Sequence, residues 1–166
     1  MALDTPDLSR GMWANLFGAT RNVSAYSDVQ RSNVTGDATE YTLQFNAEYA
    51  DSDGAFNTSN YTYTAVSTGK YLVTVRACFS SVASGHTTGL LKIVTSNRTH
   101  NFHFNPYNRA NAAGVATLDA VAVVDLDAAD TLSVTATISG GSKVIEFEGA
   151  TATGPTVSTL EIVRVA

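Results

Sequence analysis

Between Thr39 and Val82 the chain reads Phe45, then Asp53-Gly54-Ala55-Phe56, then Tyr61-Thr62-Tyr63, then Gly69-Lys70-Tyr71-Leu72-Val73. An aromatic-bearing strand runs into a glycine turn, a short second strand follows, and a third begins on Gly69. Gly54 and Gly69 stand where a turn asks for positive φ or a close backbone approach, which a residue without Cβ meets at little cost. Phe45, Phe56, Tyr61 and Tyr71 offer large apolar area to one core, each worth about 2 kcal/mol on full burial.

The same β reading extends outward. Tyr71, Val73, Val75, Ala77 and Phe79 alternate with Leu72, Thr74, Arg76, Cys78 and Ser80, and Leu132, Val134, Ala136 and Ile138 alternate with Thr131, Ser133, Thr135 and Thr137. Period two is the mark of half-buried strands. Further strands are expected at 23–29, 41–47, 61–66, 88–95, 99–104, 114–125, 143–148 and 157–165, with turns at Gly36-Asp37, Asn105-Pro106, Asp127–Asp130, Gly140-Gly141 and Gly154-Pro155. Short strands at regular spacing, with no helices between them, predict an all-β jelly-roll sandwich of about ten strands.

A chain of 166 residues suits one domain, and at this size it buries roughly 70% of its unfolded surface without disulfides or a metal. The lone Cys78 agrees, reading as a small buried residue. Fifteen acidic and ten basic residues leave a net charge of −5 with no basic block. A nucleic-acid binder concentrates Lys and Arg on one face, so nucleic acid is not an expected partner. No run approaches the ~18–20 apolar residues of a membrane span. Met1-Ala2-Leu3-Asp4-Thr5-Pro6 lacks the basic and apolar parts of a secretion signal, so synthesis in a cytoplasm is expected. The glycosylation-type triplets at Asn22, Asn33, Asn57, Asn60 and Asn97 then read as coincidence.

Residues 1–20 differ from the rest. Thr5 suits an N-cap, Pro6 a first helical position and Gly18 a stop, while Leu8, Met12 and Leu16 recur every four residues beside Trp13 and Phe17. The division is therefore an arm or short helix over 1–20 and a sandwich over 21–166. A helix this short needs a surface to pack on, which makes Leu8, Met12, Trp13, Leu16 and Phe17 candidate partner-binding residues.

Phe45, Gly54, Phe56, Tyr61, Gly69 and Tyr71, preceded by Val23-Ser24-Ala25-Tyr26, resemble the globular head of complement component one q and, through it, the tumour-necrosis-factor-like jelly rolls. The run Val121–Val134 is similar to that family's strand–turn–strand, and Ser158–Val165 to its closing strand. The resemblance implies a trimer around a threefold axis with the closing strand near it. That strand is apolar on both faces, Leu160 and Ile162 against Val163 and Val165, so these four are the candidate trimer interface. No collagen-like shaft is present in the sequence. Free-standing jelly rolls without one resemble viral particle proteins, those of bacteriophages above all.

Little in the chain suggests chemistry. Asp51-Ser52-Asp53-Gly54 has its glycine fourth, and Thr62 stands where a calcium loop carries Glu, so it reads as a polar turn. Asp125, Asp127 and Asp130 read the same way. His100 and His103 are three apart on a strand and point to opposite faces, so they cannot share one metal. No nucleophile elbow and no phosphate loop occurs, and no catalytic residue, metal or cofactor is expected. Tyr107 and Arg109, beside Asn105 and Asn108, are the candidates for an alternative ligand site of carbohydrate type.

The expectation is thus a non-enzymatic homotrimeric virion protein, a decoration or cement protein bound to a major capsid protein. The alternative is a receptor- or carbohydrate-binding module of a tail fibre or spike.

Overall fold

The computed structural model describes residues 22–150 and 158–165; the candidate arm residues Leu8, Met12, Trp13, Leu16 and Phe17 lie outside them. Among the described residues thirteen strands form two sheets. In chain order they are β1 (Asn22–Tyr26), β2 (Arg31–Thr35), β3 (Glu40–Thr42), β4 (Ala47–Asp51), β5 (Phe56–Asn57), β6 (Thr62–Thr64), β7 (Gly69–Ser80), β8 (Thr88–Thr95), β9 (Thr99–Phe104), β10 (Ala116–Leu126), β11 (Thr131–Ser139), β12 (Ile145–Phe147) and β13 (Thr159–Arg164). One four-residue helix, α1 (Pro106–Arg109), sits between β9 and β10, where no helix was expected.

The long strand β7 organises the first sheet. β10 pairs along one of its edges from Phe79–Ala116 to Gly69–Leu126. The other edge is shared, β13 taking Tyr71–Arg76 and β12 taking Phe79 and Ser80. β1 and β4 extend the sheet beyond β13, and β2 beyond β12. The second sheet runs β5-β6-β11-β8-β9, with β3 also on β11. The strands of both sheets pair antiparallel throughout the described residues, the arrangement of a jelly-roll sandwich.

The core fills the space between the sheets. Phe147 meets Phe79, Tyr41 and Phe45 at ring-centroid separations of 5.7, 5.8 and 5.9 Å, and Tyr63 meets Tyr71 at 5.8 Å. Two sequence expectations change here. Tyr61 takes a turn position at φ 61° and is half-buried, while Tyr63, two residues on, is the buried ring. Gly54 has φ +61°, but Gly69 does not have positive φ and simply opens β7. Cys78 is buried as expected, though on the outward side of β7, where its N–H donates to Ser158 Oγ at 3.1 Å. Burial pushes its thiol pKa up.

At the end of the sandwich where β7, β9 and β11 finish, buried His86 joins three loops. Its Nδ1 accepts the Ala83 N–H at 3.0 Å and its Nε2 lies 3.4 Å from the Ser142 carbonyl. The Tyr107 N–H donates to the His86 carbonyl at 3.1 Å. Gly85 and Gly140 allow two of these loops to touch backbone to backbone: a Cβ on Gly140 would fall 2.0 Å from the Gly85 carbonyl oxygen.

Candidate functional site

The two outer faces of the sandwich differ in chemistry. On the second sheet, β11 presents Thr131, Ser133, Thr135 and Thr137, with an ion pair between Lys92 and Glu40 alongside. On the first sheet one row of outward residues is apolar across three adjacent strands, and the next carries Val121 beside Thr74 and Glu161. Val123 lies opposite Leu72, which lies opposite Val163; Val121 lies opposite Thr74. Val165 continues β13 past its end, its N–H bonded to the Lys70 carbonyl at 2.8 Å. Val121, Val123 and Val165 are 57%, 55% and 53% exposed, and Leu72 and Val163 are half-buried.

Ion pairs bound this stripe at both ends. Lys70 Nζ meets Asp125 Oδ1 at 2.6 Å and Arg76 Nε meets Asp119 Oδ1 at 3.1 Å, each across β7 and β10. The hydrogen bond from Lys70, and then its charge, hold the Asp125 carboxyl below the usual range. Solvent-exposed pairs of this kind contribute ~0–1 kcal/mol to folding. Their effect is on what approaches: they mark the limits of an apolar area and carry charge of both signs around it.

A second surface adjoins the first along β10. β10 pairs only with β7 and β9 only with β8 among the described residues, so the sandwich is open along this seam. Phe102 and Phe104 pack partly on the core. A 250 Å³ cavity lies there between Leu91, Phe102, His103, Phe104, Arg109, Leu118 and Asp119. Further along, a 170 Å³ cavity is lined by His100, Arg98, Val123 and Asp125 among others.

The expected site residues fall as follows. Leu160 and Ile162 are 0% and 1% exposed and belong to the chain's own core, because alternation turns them toward the second sheet. The interface expectation therefore narrows to Val163 and Val165. Tyr107 stands on α1, 47% exposed, and Arg109 lines the larger seam cavity. The helix under them is fixed by Asn105, whose side chain accepts the Asn108 N–H at 3.1 Å, and by Pro106 in its first turn.

His100 is half-buried toward the seam and His103 is exposed, as opposite faces require. Among the described residues no three His, Cys, Asp or Glu side chains converge as metal ligands. The acidic turns are occupied by backbone donors. Asp51 Oδ2 accepts the Phe56 N–H at 2.8 Å. Asp130 accepts the Asp127 N–H at 2.8 Å and the Ser96 hydroxyl at 2.7 Å, and also bonds the Asn97 amide. These bonds hold its carboxyl below the usual value.

Val121, Val123 and Leu72 went unread as surface residues. The signal was available: Ala120, Val121, Ala122, Val123 and Val124 form an unbroken apolar run, and a strand apolar on both faces is the pattern that singled out β13.

No family model and no curated protein matches the chain. Solved structures do. The globular domain of zebrafish complement 1qA protein is 14% identical, with a TM-score of 0.53 over 89% of this chain and 98% of that one. Eiger TNF from S. frugiperda is 16% identical, TM-score 0.55, over 89% and 93%. Murine APRIL is 14% identical, TM-score 0.53, over 88% and 99%. At such identity the likeness concerns shape: the chain is a two-sheet jelly roll similar to complement one q and tumour-necrosis-factor heads.

Proposed function

We propose that this protein is a non-enzymatic structural module that closes with two further copies into a trimer and decorates a virus capsid. The observation that carries the reading is the apolar stripe of Val121, Val123 and Val165, each more than half exposed, with half-buried Leu72 and Val163 among them and ion pairs alongside. Contiguous apolar surface of this kind marks an interaction site. A threefold interface is heterologous, so it needs two different patches on each copy. The stripe and the open β9–β10 seam are two such patches, and they meet along β10. The jelly-roll likeness supports the same closure.

The partner beyond the trimer is a capsid surface, reached through the apolar arm residues Leu8, Met12, Trp13, Leu16 and Phe17. Burial of that arm where capsid subunits meet would stabilise the particle by mass action. Deleting residues 2–18 should leave a soluble trimer that no longer binds particles, measured by co-sedimentation with undecorated capsids. Undiminished binding refutes the arm's role, and a monomeric wild-type chain at micromolar concentration refutes the closure.

A second reading, a tail receptor-binding module, is favoured by Tyr107 at 47% exposure beside Arg109 on the seam cavity. Loss of cell attachment on Tyr107→Ala, with particle assembly intact, would select it.

A further inference from the structure

The β1–β4 edge of the first sheet carries an aromatic surface that the trimer reading does not use. Ser24 pairs with Ala50 and Ala25 with Glu48, so Tyr49 is the extra residue of a β-bulge. Bulges re-aim side chains, and here Tyr49 is laid on Tyr26, ring centroids 4.3 Å apart and planes within 19°. Tyr49 is nevertheless 63% exposed.

Ser24 and Tyr26 share one face of β1, about 6.7 Å apart along the strand, and Asp28 follows two residues past its end. Each polar neighbour is already set by a partner: Ser24 Oγ donates to Glu161 Oε1 at 2.7 Å, and Asn46 Nδ2 donates to Asp28 Oδ1 at 2.6 Å. An aromatic plate is thus flanked on both sides by carboxylate oxygens held in place, with an amide at one end. Neither β1 nor β4 carries Lys or Arg.

We infer that the Tyr26–Tyr49 pair is a saccharide platform for a neutral pyranose. The ring faces of a tyrosine stack on the C–H face of a sugar, and Glu161 and Asp28, bonded to groups before and after Tyr26, are carboxylates that accept from sugar hydroxyls. The acidic rim selects against sialylated or uronic sugars, whose charge it would repel. Tyr26 and Tyr49 lie one and two strands beyond Val163, and Glu161 stands two residues from it on β13, so the platform borders the apolar stripe without using its valines.

The full-length chain, titrated by NMR with maltotriose, cellotriose and triacetylchitotriose, should bind at least one of them. Tyr49→Ala should weaken that binding about tenfold or more while Tyr49→Phe leaves it unchanged, tenfold being the scale of one lost aromatic stack. Tyr49→Ala gives up the stack on Tyr26 at a sheet edge, so the variant should still fold, with a melting temperature lowered by no more than about 6 °C. Absence of binding to all three sugars, binding indifferent to Tyr49→Ala, or preference for sialyllactose would each overturn the inference. So would a Tyr49→Ala chain that loses particle binding in the absence of any sugar binding, which would make the pair a protein contact.

Discussion

The proposed trimer should dissolve, with the chain still folded, when Val121 and Val123 are both replaced by serine. The two valines are 57% and 55% exposed in the single subunit. Full burial of a valine is worth about 1.5–3 kcal/mol, so covering the half that remains is worth roughly 1 kcal/mol at each. Threefold closure repeats the contact at three interfaces. The double variant therefore removes on the order of 6 kcal/mol per trimer, a factor of about ten thousand in association constant. The fold itself should lose little, because neither side chain reaches the core and the β-propensity difference is at most ~1 kcal/mol per site. Sedimentation velocity across nanomolar to micromolar concentration measures the first effect, and the thermal melt of the dissociated chain the second. A double variant that remains trimeric at nanomolar concentration would refute the placement of the interface on this stripe.

Three further outcomes follow from other parts of the molecule. Leu160→Ala, on the same terminal strand but 0% exposed, should destabilise the subunit by about 2–5 kcal/mol in chemical denaturation; an effect on assembly alone would return Leu160 to the interface. Gly140→Ala should shift the melting temperature down markedly or abolish folding, since φ is +100° and the new Cβ would meet the Gly85 carbonyl oxygen at 2.0 Å; an unchanged melt would mean the His86 loops are not packed as described. The Asp130 carboxyl lies below its ordinary 3.8 in the fold, chiefly through the Asp127 N–H and the Ser96 hydroxyl. A lowered folded pKa gives stability that is complete above the unfolded value and lost as pH falls through the folded one. Asp130→Asn should therefore flatten the acid limb of stability below about pH 4, read from denaturation midpoints, and an unchanged limb would count against those bonds.

Legibility in the sequence tracks how local each cause is. β7 and β11 are readable because every second side chain is apolar over nine or more residues and nothing interrupts them. The expected strand at 41–47 is not one strand. β3 belongs to the second sheet and β4 to the first, and the chain crosses between them at residues 43–46. Leu43 and Phe45 stay buried through the crossing, so the alternation runs on while the hydrogen-bond partners change. Periodicity reports which way side chains point, and it is blind to which sheet the backbone joins. The loops around His86 are hidden for another reason: Gly36, Gly85 and Gly140 are ordinary turn residues in sequence, and their close approaches are set by residues 50 or more positions away.

The candidate surfaces divide along the same line. An exposed apolar residue announces itself only when its strand is apolar on both faces, because a strand with one covered side has no reason to be so. β13 and β10 both have that composition, and the fold sets them on either side of β7 with their outward residues in register through Leu72. Two sequence features 40 residues apart thereby become one surface. Their shared register on β7 is what makes one surface of them. The same register puts Lys70–Asp125 and Arg76–Asp119 at its limits. In the proposed trimer, a partner strand shifted along the stripe would drive apolar side chains onto those charges, so the ion pairs would fix the register of a contact that the valines hold together.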